Sequence, residues 1–248
     1  MKLITVIIVG STNKNIMDFA VATTIRNTPH IEDVVIFDEK KLRPNFNLKD
    51  YNFFCLKNMW AFVKTEFALV IQYDGMAANR NAWSEDFLNY DYIGAPWPDR
   101  FDWIRKDEKV GNGGFSLRSA KLLESLRDPI IQPNIDFTSS IEDRRFSNED
   151  ASIGQGYSKY LRNKHGIKFA SVELANTFSH EWCNPTGETF GFHGMWNFPL
   201  FFDEDTVIEH LLDIPKNYWY NDKYEMLIEN CHKRGYKKVL DTICPTIK

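Results

Sequence analysis

Leu3–Val9 is an unbroken apolar run rich in β-branched residues, the pattern of a strand covered on both faces in a parallel sheet. Gly10-Ser11-Thr12-Asn13 ends it. From about Ile16 to Arg26, Ile16, Phe19, Ala20 and Thr23 fall at helical spacing, and Asp33–Phe37 predicts a second strand, completing a β-α-β unit. Tyr51–Lys64 predicts a second helix with Phe54, Cys55, Met59 and Phe62 on its apolar face, and Phe67–Tyr73 a third strand. Strands alternating with helices imply an α/β fold: a doubly wound, mostly parallel sheet of Rossmann type with helices on both faces.

Further along, Ala82–Leu88 predicts a short helix and Tyr92–Gly94 a short strand stopped by Ala95-Pro96-Trp97. Residues 99–110 are charged and irregular, as in a mobile loop. Phe115–Leu117 predicts a strand, after which Ser119 N-caps a helix running to Arg127. Residues 130–146 are polar and loop-like. Ser147 opens a helix to about Asn163, and His165–Ser171 reads as a turn and strand. Glu181–Asn197, rich in Gly, Trp and Phe, has the composition of a site-forming loop. Asp205–Leu212 and Asp222–Ile243 are amphipathic helices. The expected organisation is one domain over 1–200, made of two halves at about 1–98 and about 99–200. A helical extension over 201–248 packs on it.

Composition narrows the partners. The chain has 248 residues, 43% hydrophobic and 26% charged, which suits a globular domain with a sizeable core. A net charge of −4 disfavours nucleic acid as a partner. Cys55, Cys183, Cys231 and Cys244 form no CxxC pair, and the N-terminal apolar run is too short to span a bilayer and has no small-residue cleavage site. Both point to a cytoplasmic protein with reduced thiols. The basic face carrying Lys233, Arg234, Lys237 and Lys238 implies at most peripheral membrane contact, and the amphipathic tail leaves a homodimer open.

Five segments carry candidate chemistry. Gln72-Tyr73-Asp74-Gly75 ends a buried strand, at the sheet edge where α/β proteins bind ligands. Asp74 suits a divalent cation on a diphosphate; the bland alternative is an Asp-Gly turn cap. Gly111-Asn112-Gly113-Gly114 lets backbone approach a ligand closely, or forms a tight hairpin. Arg118 can pair a phosphate or lie on the surface, and Lys57, on the helix before the third strand, can neutralise a phosphate or be an ordinary solvated lysine. Glu149 and Asp150 open a helix, where an acid can serve as general base; Ser147 and Asp150 also have capping-box spacing. His193, between Gly191-Phe192 and Gly194, can complete a metal shell or simply pack among aromatics.

In order along the chain stand Gln72-x-Asp74-Gly75, Trp83, Asp91-Tyr92-Ile93-Gly94-Ala95-x-Trp97, Gly111-Asn112-Gly113-Gly114-Phe115-Ser116-Leu117-Arg118-Ser119, Glu149-Asp150 and Phe190-Gly191-Phe192-His193-Gly194. This series resembles a glycosyltransferase-like domain family of bacteria and their viruses, of unknown function and similar to the GT-A superfamily. The resemblance covers residues 72–194. It implies a GT-A-like domain whose half at about 1–98 binds a nucleotide-sugar donor, with UDP-sugars favoured, and whose half at about 99–200 binds a glycan or polysaccharide acceptor. Asp74 and His193 are then expected to hold Mn²⁺ or Mg²⁺, although Gln72 replaces the first acid of the usual Asp-x-Asp. Gln72, Lys57, Gly10 and Arg118 are expected on the donor side, Gly113, Gly114, Trp97 and Trp196 on the acceptor side, with Asp150, or else Glu149, as the base of an inverting transfer. The rival readings are a sugar-binding module without catalysis, a metal-dependent phosphoester hydrolase, and a nucleotidyltransferase, whose glycine- and lysine-rich loop after the first strand is missing at Gly10–Lys14.

Overall fold

The computed structural model describes residues 2–10, 14–38, 45–133, 148–183, 187–220, 222–243 and 245. Strands are β1 (Ile4–Val9), β2 (Ile31–Phe37), β3 (Phe67–Ile71), β4 (Gly75–Ala77), β5 (Tyr92–Gly94), β6 (Ser116–Ser119), β7 (Ser179–His180) and β8 (Gly191–His193). Five of them form a central sheet in the order β2-β1-β3-β6-β5. β1 pairs in parallel with β2 and β3, whereas β6 is antiparallel to both β3 and β5. Only β6 therefore opposes the common direction, and the sheet is mostly parallel as the alternation of elements predicted. Because β6 lies between β3 and β5, the two expected halves of the domain share this one sheet.

Apolar clusters cover both faces. On one side Val6, Leu69 and Leu117 pack with Phe115, Phe178 and Phe190. On the other, Ile7, Ala68 and Val70 pack against Phe54, Cys55 and Met59 from the second helical segment and Leu122 and Leu123 from the helix Ala120–Ser125. Ser119 caps that helix as predicted, its hydroxyl accepting from the Leu122 amide at 3.0 Å.

A second sheet, β4-β8-β7, was not legible as strands in the sequence. It carries the third cluster, in which Met76 and Phe192 meet Ile16 and Ala20 of the first helix and Val207, Leu211 and Leu227 of the C-terminal helices Glu204–Leu211 and Lys223–Arg234. The tail is thus joined to the domain through a shared apolar core.

Two predicted helices are broken. The segment predicted over Tyr51–Lys64 is α-helical only at Leu48–Phe53, then widens at Phe54–Asn58 and tightens at Met59–Phe62. The helix expected from Ser147 is interrupted by a wide turn at Ser152–Gly156 before resuming at Ser158–His165. Gly154 and Gly156 weaken the helix here. The Trp97 ring packs where a side chain at 154 would stand, 3.0 Å from a Cβ built on Gly154. Such widened turns often mark functional sites. Ser147 itself, and with it the expected capping box, lies outside the described residues, as do most of residues 130–146. Ala82–Leu88 is two short 3₁₀ turns, and Val172–Phe178 is an additional helix. Residues 99–110 are stapled down rather than free: the Arg105 amide donates to Gln155 at 3.0 Å, and Arg162 pairs with Glu108 at 3.0 Å. Among the described residues no helix is long and apolar enough to cross a membrane, and Cys55, Cys183 and Cys231 take part in no disulfide.

Candidate functional site

After β3 the chain reverses at once. Gln72 and Gly75 exchange backbone hydrogen bonds of 3.0 and 3.1 Å, leaving Tyr73 and Asp74 at the tip. The Gly194 amide donates to the Asp74 carbonyl at 2.6 Å and fixes the turn to the end of β8. The Asp74 carboxylate does not cap this turn. Its Oδ2 accepts from the Tyr218 hydroxyl at 2.8 Å, and its buried Oδ1 has no hydrogen-bond partner, lying 3.6 Å from His193 Nε2. His193, opposite Gly75 in the β4–β8 register, is held at Nδ1 by Glu181 at 2.9 Å and has Gln72 Oε1 3.2 Å from Nε2. Gln72 is oriented in turn by its bond to the Tyr51 hydroxyl at 2.9 Å.

The electrostatics follow from this packing. Burial opposes charge on both Asp74 and His193, but their proximity prevails. Asp74 is held below its ordinary range, and His193 is raised to about 10 by the carboxylates of Asp74 and Glu181. The donor set of carboxylate oxygen, imidazole nitrogen and amide oxygen suits Mn²⁺ or Mg²⁺. The orphaned Asp74 Oδ1 beside Nε2 fits such an ion, with Glu181 orienting the imidazole from behind. Holding a cation requires His193 to give up its proton. Among the described residues no three His, Cys, Asp or Glu gather as a complete cage.

The glycine run lies against these groups. It is no hairpin tip: Asn112 N donates to Ala95 O at 3.2 Å and Trp97 N to Lys109 O at 2.8 Å, so it runs beside Ala95–Trp97. A Cβ on Gly114 would stand 2.2 Å from His193 Nε2, and one on Gly113 would stand 2.5 Å from Glu149 Oε1 and 2.8 Å from Asp150 Cβ. The missing side chains make room for the protein's own histidine and acids. That corrects the expectation that Gly113 and Gly114 serve mainly to admit a ligand.

Arg118 corrects a second expectation. It is fully buried on β6, with Nη2 donating to Glu149 Oε1 at 2.8 Å and Nε to Ser116 Oγ at 3.0 Å, so it cannot reach a donor phosphate. The same pair occupies Glu149 and removes it as a base. Asp150 is different. It lines the cleft, accepting from the amides of Gly113 at 3.1 Å and Ala151 at 2.7 Å. Burial, reinforced by the neighbouring Glu149 and by Glu181, pushes its carboxyl up to about 7 against the pull of those amides.

Two clefts flank the Gln72–Asp74 turn. One, about 450 Å³, is lined by Asp74, His193, Asp150 and Glu181 together with Trp97 and Trp196. The other, about 360 Å³, opens at the C-terminal ends of β1 and β3 between Gly10, Tyr51, Gln72 and Tyr73. Lys57 reaches neither: its Nζ donates to the carbonyls of Leu126 at 2.7 Å and Asp128 at 3.0 Å. The cleft instead receives Lys223 from the tail, 4.2 Å from the rings of Tyr218 and Tyr220. Tyr51, Tyr218 and Lys223 line or brace the clefts without having been expected from the sequence, and Glu181, within the expected site-forming loop, was not singled out. The aromatic triplet Tyr218-Trp219-Tyr220 was the available signal.

A mostly parallel sheet with a ligand-sized cleft at its strand ends, extended by a small second sheet, defines an α/β fold of Rossmann type. The similarity to mouse xyloside xylosyltransferase 1 in its apo form has a TM-score of 0.50 at 11% identity, covering 78% of this chain and 98% of that one; it shows the fold alone. A glycosyltransferase involved in glycosylation of the PBCV-1 major capsid aligns at TM-score 0.48 and 13% identity over 77% of this chain and 92% of its own. Galactosyltransferase LgtC, in complex with donor and acceptor sugar analogues, aligns at 0.45 and 11% over 77% and 86%. No curated protein matches the chain by sequence. The chain belongs to DUF5672, a family of proteins of unknown function, whose model matches residues 33–193.

Proposed function

We propose that this protein transfers a sugar from a nucleotide-sugar donor to a hydroxyl of a glycan acceptor, by a single displacement with inversion. One observation carries the reading: Asp150, a carboxyl raised to about 7, lines the same cleft as the Asp74–His193 pair. The adjoining cleft at Gly10, Tyr51 and Gln72 is suited to the nucleoside, and the resemblance in sequence favours UDP. Asp74 and His193 would hold Mn²⁺ or Mg²⁺, which would supply positive charge to a diphosphate leaving group.

Asp150 takes the proton of the acceptor hydroxyl while that oxygen bonds to the anomeric carbon and the bond to the nucleoside diphosphate breaks. Arg118 and Glu149 act indirectly, holding the start of the short helix that presents Asp150. Tyr218 holds Asp74 from the tail.

Donor turnover tests the reading. The protein is incubated with UDP-, GDP- and CMP-sugars, with and without Mn²⁺, and released nucleotide is measured. Turnover that Asp74→Asn abolishes supports it. Absence of both turnover and nucleotide-sugar binding under every condition sinks it. Binding that survives Asp74→Ala and Asp150→Ala, without turnover, would instead indicate a sugar-binding module.

A further inference from the structure

The cleft holding Asp150 also holds aromatic surface that the described residues leave partly exposed. Phe101, Trp103 and Trp182 are half-buried and Tyr220 is 56% exposed, all four lining the cleft. Phe101 and Trp103 stack at 6.0 Å with 14° between their planes, and Trp182 stands 5.9 Å from Phe101. Buried rings brace this strip from behind, Trp97 at 5.2 Å from Trp103 and Trp196 at 4.5 Å from Trp182. Arg100 lies 5.7 Å from the Phe101 ring centroid and 5.6 Å from that of Trp182, while pairing with Asp222 at the start of the last long helix. Two separate segments and the tail therefore converge on one fixed aromatic surface.

Resting on the transferase reading above, we propose that this strip binds an extended oligosaccharide acceptor, with sugar rings stacked beyond the one that reacts at Asp150. Three features favour this occupant. The strip is continuous with the cleft that holds Asp150. The same cleft is lined by groups that hydrogen-bond hydroxyls, Asn112 and Asn148 together with the carboxylates, a lining matched to sugar faces and edges rather than to an acyl chain. The cleft volume of about 450 Å³ falls in the range that encloses drug-sized ligands, more than a single hexose needs.

Binding of the full-length chain to an array of mono- to hexasaccharides tests the proposal, with tryptophan fluorescence as a second readout. The expected result is an affinity gain of at least about tenfold from mono- to trisaccharide in the series that binds, accompanied by quenching. Trp103→Ala should abolish the gain with length, and Trp103→Phe should restore most of it. The wild-type length series stands alone if Trp103→Ala fails to fold. Length-independent binding, no glycan bound, or quenching only by micellar undecaprenyl phosphate would overturn the proposal. Donor turnover without length dependence removes the strip and keeps the transferase; length-dependent binding without donor turnover does the reverse.

Discussion

Replacing Asp150 by asparagine keeps the shape of the side chain and an acceptor for the Gly113 amide, while removing the ionisable carboxyl. Acid–base groups contribute about 10²–10⁴-fold, so kcat should fall by that factor. The pH profile sharpens the test. The carboxyl is raised to about 7 by burial and by Glu149 and Glu181, with Arg118 engaged by Glu149, so the wild type should lose activity as pH falls through 7. Stability should move the opposite way. An unfolded aspartate ionises near 4, so between pH 4 and 7 the folded state holds the extra proton and loses stability as pH rises. Above 7 both states are ionised and the penalty is complete, at most about 4 kcal/mol for a shift of this size. Asp150→Asn should therefore melt higher at pH 8, by as much as about 10 °C, with no gain below pH 4. Calorimetry and turnover across pH 4–9 measure both. A variant within threefold of wild-type activity (roughly 0.7 kcal/mol), or one less stable than wild type at pH 8, refutes the assignment.

Arg118→Met leaves Glu149 charged and unpaired in the interior, which should cost about 3–5 kcal/mol and lower the melting temperature by roughly 6–20 °C in thermal unfolding. Gly114→Ala puts a methyl group against His193 and should weaken Mn²⁺ binding by at least about tenfold, read by titration calorimetry. Lys57→Ala should leave donor turnover within about twofold of wild type (roughly 0.4 kcal/mol), since its ammonium bonds the carbonyls of Leu126 and Asp128, away from both clefts.

What the sequence displayed is what is local. The turn at Gln72–Gly75, the glycine run, Glu149-Asp150 and the Phe190–Gly194 segment around His193 are each contiguous, and the structure brings all four to one place. Their partners are distant in sequence. The bond from Tyr218 to Asp74 joins residues 144 positions apart, and no periodicity in an amphipathic tail announces it. Arg118 and Lys57 were misplaced for the same reason: a cation looks alike in sequence whether it meets a phosphate, a buried glutamate or a helix carbonyl. The broken helices show another limit. Apolar spacing at Tyr51–Lys64 fits an α-helix, yet a widened turn at Phe54–Asn58 still sends Phe54, Cys55 and Leu56 into the core.

In the proposed function the Gln72–Asp74 turn stands between a nucleotide cleft and a catalytic cleft. A crystal soaked with UDP and Mn²⁺ tests it most directly. The account predicts uridine beside Gly10, Tyr51 and Gln72, with the ion on Asp74 Oδ1 and His193 Nε2 and bridged to the diphosphate. UDP bound elsewhere, or bound in that cleft with the ion away from Asp74 and His193, would contradict it.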